Sequence, residues 1–238
     1  MDVEVVISKR DAVGATIKSL GYSFREVDDD VVDFSGNFRG PVVVISRHES
    51  SSKKPSITVH TPGNPTKVTM GGRQEELAIA YPRLLRAIFL ELTKVEVDIE
   101  KTVEATHHGP TSLDVPVVFV EIGSDETYWR NEALVRKLVE ATLRGINAVD
   151  SVECDEVVTI YGGPHYSHTA VKRLLSGECV AHVISKHYVG EVSSAVIKQS
   201  VERSVNAVTK VVFDNVNRAN YERISSALSD KALKFERL

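Results

Sequence analysis

Cysteine is almost missing from this chain, with Cys154 and Cys179 as its two examples. Two isolated cysteines make neither a disulfide framework nor a CxxC metal clip. Both stand in or beside valine-rich runs, which predicts buried free thiols. Long apolar runs are also absent. No stretch approaches the roughly 20 apolar residues needed to span a bilayer. Met1–Ile7 has no basic n-region and no apolar h-region, so it does not read as an export signal. These absences predict a cytoplasmic protein without a membrane partner. An excess of basic charge is lacking as well, since the formal net charge is −4 and the pI is near 6.1. A nucleic acid can then be gripped only through local patches such as Lys53-Lys54, Arg136-Lys137 or Lys172-Arg173. With no repeat, no biased tract and no Pro/Ser-rich linker, residues 1–238 are expected to form a single domain.

What is present is an alternation of short β-branched runs with amphipathic stretches. Val3–Ile7, Pro41–Ile45, Ser56–His60, Pro116–Ile122, Val157–Tyr161, Cys179–Ile184 and Val208–Phe213 read as strands. Several are apolar on both faces, as buried parallel strands are. Asp11–Leu20, Gln74–Thr93, Glu126–Arg144, Val192–Arg203 and Arg218–Leu228 read as helices, with Pro82 kinking or splitting the second. Asp125 offers an N-cap to the third. The order predicts an α/β fold with a mixed, mainly parallel sheet flanked by helices. Residues 47–73, rich in Ser, Pro, Gly and Thr, are expected to form an irregular loop region.

Chemistry-bearing residues recur where strands end, which is where open α/β sheets bind ligands. Arg47-His48-Glu49 follows the strand ending at Ile45, Glu121 closes another, and His165 and Lys186-His187 follow two more. His107-His108-Gly109-Pro110-Thr111 is the densest polar cluster. Adjacent histidines on an extended segment face opposite sides, so one of the two is expected to face a site. Imidazole serves as a general base near neutral pH and as a zinc ligand, or simply bonds loop backbone. Glu121 could hold a metal, a proton or a ribose hydroxyl, or it could cap a helix or pair with an arginine. Arg47 could clamp a phosphate or carboxylate. Gly162-Gly163 could bring backbone N–H groups toward an oxyanion, or could be only a turn. No spacing matches HExxH or paired CxxC, so a metal does not follow from spacing.

Several of these segments together resemble the D-aminoacyl-tRNA deacylases of archaea and plants. They are Ile45-Ser46-Arg47-His48-Glu49-Ser50, Thr58-Val59-His60-Thr61-Pro62-Gly63-Asn64, Glu104-Ala105-Thr106-His107-His108-Gly109-Pro110-Thr111, Phe119-Val120-Glu121-Ile122-Gly123-Ser124 followed by Trp129, and Gly162-Gly163-Pro164-His165-Tyr166. Pro164 departs from the pattern, standing where a third glycine is expected. The resemblance implies a phosphorylase- or peptidyl-tRNA hydrolase-like α/β domain, monomeric, that hydrolyses the ester between a D-amino acid and the 3′ CCA end of tRNA. It also implies dependence on Zn2+. On that reading His107, His108, Glu121 and His165 are the catalytic candidates. Arg47, His48, Thr111, Gly162, Gly163 and Tyr166 would contact substrate, the terminal adenine stacking on Tyr166. We assign His108, His165 and Glu121 as the metal ligands. A small-substrate ester, peptide or nucleoside hydrolase on the same scaffold, or an RNA-end binding module without catalysis, are the competing expectations.

Overall fold

The structure, a computed structural model, describes residues 2–50 and 53–238. Strands β1 (Glu4–Ser8), β2 (Arg25–Val27), β3 (Val42–His48), β4 (Ser56–His60), β7 (Glu100–Val103) and β8 (Val117–Gly123) make a six-stranded sheet in the order β2-β1-β3-β8-β4-β7. Its pairings are parallel except β4 with β8. Strands β9 (Val157–Gly162), β10 (Cys179–Ile184), β11 (Lys210–Asp214) and β12 (Lys234–Arg237) make a second, wholly parallel sheet in the order β10-β9-β11-β12. A two-stranded ribbon pairs β5 (Gly63–Asn64) with β6 (Glu76–Leu77). The mixed, mainly parallel sheet is therefore present, in two main pieces. The region around 47–73 holds the end of β3, the expected strand β4 and the short β5.

Helices α1 (Ala12–Ser19), α2 (Pro82–Thr93) and α4 (Glu132–Ala148) cover one face of the large sheet, burying Val13, Ile17, Leu84, Ile88, Val135 and Leu138 against Val43, Ile45, Ile57, Val118 and Val120. The same cluster continues to Ile160, Val180 and Val212 of the second sheet, with Ala170 and Leu174 of α5 (His168–Leu175). Helices α6 (Ser194–Glu202) and α7 (Arg218–Ala227) cover that sheet's other side. Pro82 does not kink a longer helix. It is the first residue of α2, where its missing N–H costs nothing. The expected helix Glu126–Arg144 is broken into α3 (Glu126–Trp129) and α4, because Asn131 caps a new start through Leu134 N–H.

The free-thiol expectation fails. Cys154 and Cys179 form a disulfide, with Cα atoms 5.4 Å apart. Parallel pairing sets Val157 beside Cys179, so the loop entering β9 meets the start of β10 across 25 residues of sequence. Spacing along the chain could not show that register. Closing a loop of this length removes about 3 kcal/mol of unfolded-chain entropy. Urea unfolding of the reduced protein, or of the Cys154→Ser/Cys179→Ser variant, is expected to show a loss of about that size. Equal midpoints with and without reductant would remove the bridge from the stability of the fold.

Candidate active site

The large sheet has two unlike faces. Side chains alternate along a strand, and the registers Ser46↔Glu121, Thr58↔Glu121 and Thr58↔Thr102 put these four on one face. His48, His60 and Glu104 follow two residues on, along β3, β4 and just past β7. This face, opposite the helices, is polar at its centre although almost wholly buried: His60 and Thr58 are 0% exposed, Glu104 1% and Glu121 4%. Carboxylates and imidazoles are rarely so buried unless paired or ligating. The antiparallel β4/β8 boundary is what makes the convergence. The carboxyl end of β3 delivers His48 from one direction, while β4 and β7 deliver His60 and Glu104 from the other.

A strap between the two sheets supplies the remaining groups. Glu104 N–H donates to Val59 O, Ala105 N–H to His165 O and Thr106 N–H to Val183 O. This fixes His107 and His108 over the polar face and brings His165 to it. The two adjacent histidines do not diverge. His108 has φ +46°, so the chain is not extended there, and the two rings lie 4.4 Å apart. His107 is 4.4 Å from the His60 ring and 4.7 Å from that of His165.

Glu104 is the hub. One carboxylate oxygen lies 3.0 Å from His165 Nε2 and 3.4 Å from His48 Nδ1, and the other lies 3.5 Å from His60 Nδ1. His48 Nδ1 is also 3.4 Å from Glu121, and its Nε2 is 2.7 Å from the Tyr166 hydroxyl. Ser46 donates to Glu121 at 3.0 Å. His108 Nε2 stands 3.2 Å from His60 Nε2 and 3.8 Å from Glu121.

Burial and these contacts oppose one another. Burial works against ionised Glu104, but the His165 contact and the neighbouring His107 and His60 outweigh it and lower its pKa to about 2. Glu121 is likewise held well below the usual carboxylate range against burial, by His108 and His48. Burial, with His108 beside it, lowers His107 to about 4. Burial also drives His60 well below the ordinary imidazole value. His48 behaves differently: burial pulls it down, yet Glu121 and Glu104 raise it overall. Near neutral pH the cluster thus holds two carboxylates beside neutral His60 and His107, with His48 biased toward its cation.

A cavity of about 440 Å³ opens onto His48, His107, His108 and Glu121, walled by Val31, Val32 and Met70 and edged by Asp30, Arg47 and Glu49. The structure brings His107, His108, Glu121, His165, His48 and Tyr166 together. Arg47 reaches the edge but is engaged by Asp11 at 3.0 Å, Asp30 at 3.6 Å and Glu49 at 2.8 Å. Thr111 stays outside the cluster, donating to Glu76 at 2.7 Å and accepting from Arg73 N–H. Gly162 and Gly163 serve a close backbone approach to Asp214: a Cβ on Gly162 would lie 2.0 Å from Asp214 O, and Gly163 N–H already donates to that oxygen. Lys186 and His187 are exposed and take no part in the cluster. His60 and Glu104 were not singled out from the sequence, although each ends a strand by the same rule that marked His165.

Three groups of side chains place their ligand atoms within 4.8 Å of one another: His60, His107 and His108; Glu104, His107 and His165; and His48, Glu104 and Glu121. Among the described residues none unites His108, His165 and Glu121, because His165 lies against Glu104 on the far side of His107.

Residues 39–236 match the family model described as D-aminoacyl-tRNA deacylase. The D-aminoacyl-tRNA deacylase of Saccharolobus islandicus is 54% identical over 96% of both chains. That of Metallosphaera sedula is 50% identical over 99% of both. The crystal structure of a conserved protein of unknown function superimposes with a TM-score of 0.88 at 23% identity, covering 99% of this chain and 94% of that one, and so shares the fold. With a match across most of the chain and relatives of this identity, the chain belongs to the D-aminoacyl-tRNA deacylase family.

Proposed function

We propose that this protein hydrolyses the ester of D-aminoacyl-tRNA, releasing the D-amino acid and the tRNA. The observation that supports it best is the Glu104-centred cluster of five histidines and two glutamates at the foot of a cavity large enough for an aminoacyl ester. In this reading the unpaired CCA end enters the cavity with the ester carbonyl over His107 and His108. Glu121 takes the proton of the attacking water. His48, biased toward its protonated form by Glu104 and Glu121 and bonded to Tyr166, returns a proton to the departing 3′ oxygen. The substrate, an aminoacyl-tRNA, supports a cytoplasmic setting.

A zinc ion is part of the proposal, and the donor set suits one. His107 Nδ1 lies 2.8 Å from Ala105 O and His108 Nδ1 2.5 Å from Gly109 O, which leaves each Nε2 with a lone pair. Backbone carbonyls orient metal-binding histidines in this way. His60 Nδ1 and one Glu104 oxygen are buried without a hydrogen-bond partner, and two carboxylates facing a single cation-biased imidazole, His48, leave negative charge that suits a cation. His60, His107 and His108 would hold it, in place of the His108, His165 and Glu121 set expected from the sequence. When bound, zinc supplies a Lewis acid that polarises the ester and acidifies water.

The test is hydrolysis of D-tyrosyl-tRNA and L-tyrosyl-tRNA side by side, before and after chelator dialysis and zinc re-addition. Loss of the D ester alone, abolished by chelator and restored by zinc, is the expected result. Survival of both esters with fully metallated protein would refute the reading. Hydrolysis insensitive to the chelator would refute the metal.

A further inference from the structure

Tyr166, the aromatic expected to stack the terminal adenine, is otherwise engaged. Its hydroxyl is 2.7 Å from His48 Nε2, and its ring stands edge-on to His48 and to His165. The cavity has another apolar surface, on its solvent side. Met70 walls the cavity and is 56% exposed, and Val68, at 79%, is the most exposed large apolar side chain among the described residues. Isolated surface apolar residues need no explanation, but these two sit on a loop built to hold them out.

The buried Asn64 amide donates to Gly71 O at 2.7 Å and to Arg73 O at 3.0 Å. Gly109 N–H donates to Met70 O, Gly72 N–H to Asp33 and Arg73 N–H to Thr111 Oγ1. Gly71 and Gly72 have φ near +67°, and a Cβ on Gly71 would fall 2.0 Å from Val32 O. The loop is thereby pressed on Val32, another residue of the cavity wall. Val32 and Met70 thus wall the cavity, and Val68, two residues from Met70 on the same loop, is exposed to solvent. Lys67 and Arg73, both exposed, bracket Val68 and Met70 along the chain, and Arg73 also lies 3.7 Å from Glu76. An apolar step with cations beside it is what an unpaired nucleotide needs: a surface for its base and charge for its phosphates. A methionine thioether also makes favourable contacts with aromatic rings.

We propose that Met70 and Val68 form the platform for the terminal nucleobase of the substrate, with Lys67 and Arg73 beside its phosphates. The proposal rests on the deacylase reading for the identity of the substrate, but its first test does not require turnover. The chain contains two methionines, Met1 and Met70, so protein labelled at the methionine methyl carbon gives a simple spectrum. Titration with the trinucleotide CpCpA is expected to move the Met70 methyl signal upfield, as a base ring covers it, while free D-tyrosine leaves it in place. No movement with CpCpA, or movement with D-tyrosine instead, would overturn the platform. In the kinetic test, Val68→Ala/Met70→Ala should raise KM for D-tyrosyl-tRNA about tenfold, within the range for one stacked base, without changing kcat. Hydrolysis of D-tyrosine methyl ester, which has no nucleobase, should not change. Equal impairment with both substrates, or with neither, would also overturn it. A methyl shift with CpCpA from a protein that does not cleave D-tyrosyl-tRNA would instead defeat the deacylase reading and leave the platform standing.

Discussion

Replacing Glu104 with glutamine is expected to cut deacylation by roughly 10²–10⁴-fold while leaving the fold intact. Glutamine keeps the volume of the side chain, so the 1%-exposed site does not open a cavity. It removes the charge and turns one acceptor oxygen into a donor NH₂. Glu104 contacts His165, His48 and His60 at once, at 3.0, 3.4 and 3.5 Å. An amide cannot satisfy all three. His48 loses one of the two carboxylates that raise its pKa, and so gives up part of its proton at neutral pH. Zinc affinity should fall as well, by about 10–100-fold as for outer groups around metal-binding histidines. The measurements are single-turnover deacylation of D-tyrosyl-tRNA, zinc affinity by competition and the far-ultraviolet circular dichroism spectrum. A variant with wild-type turnover would show that Glu104 is not the hub. A variant that fails to fold would call for Glu104→Asp, whose shorter carboxylate should recover folding and part of the zinc affinity.

Stability should fall steeply between pH 6.5 and pH 4 in protein freed of metal. His107 and His182 are both held neutral by burial, each with its pKa lowered to about 4. An unfolded histidine takes its proton near 6.5. Between the two values the unfolded chain binds more protons than the folded one, so stability is fully present above pH 6.5 and is lost as pH falls. Each group contributes up to about 1.4 kcal/mol per pH unit across that window, or about 3 kcal/mol in all. Glu104 and Glu121, held below the ordinary carboxylate range, act with the same sign further down, below about pH 4.5. His48, raised, acts in a different window: its contribution is fully present below pH 6.5 and is lost as pH rises above that value. Urea midpoints should therefore decline by the equivalent of about 2 kcal/mol per pH unit between pH 6.5 and 4.5. His182 lies apart from the Glu104 hub, with its ring nitrogens facing Thr106 Oγ1 and Arg203 O. His60, also lowered by burial, acts with the same sign, so His182→Gln should reduce the slope by about a third. A flat profile would show that these histidines are protonated in the folded state.

Much of this was legible in the chain. The β-branched runs marked β1, β3, β4, β8, β9, β10 and β11 because stiff apolar side chains in short runs suit a buried pleated surface. Asp125 marked a helix start because its side chain bonds a first free N–H group. His48, His107, His108, Glu121 and His165 were found because each lies in or just past a strand and is costly to bury without purpose. The motif blocks that carry them named the family.

What the sequence determined, then, was the order of the elements, the reactive residue types and the family. These depend on residues close together in the chain, where periodicity and side-chain stiffness act directly. The tertiary structure decided which residues meet. His60 and Glu104 became central because β4 and β7 run against β8, so that strand ends 44 residues apart converge on one buried face. His107 and His108 face the same site because the backbone turns left-handed between strap and loop. Gly162 and Gly163 turned out to meet Asp214, and Cys154 to meet Cys179, through the parallel registers of the second sheet. Register and crossing direction are set by the packing of whole sheets and helices, so they exist only once the chain has folded.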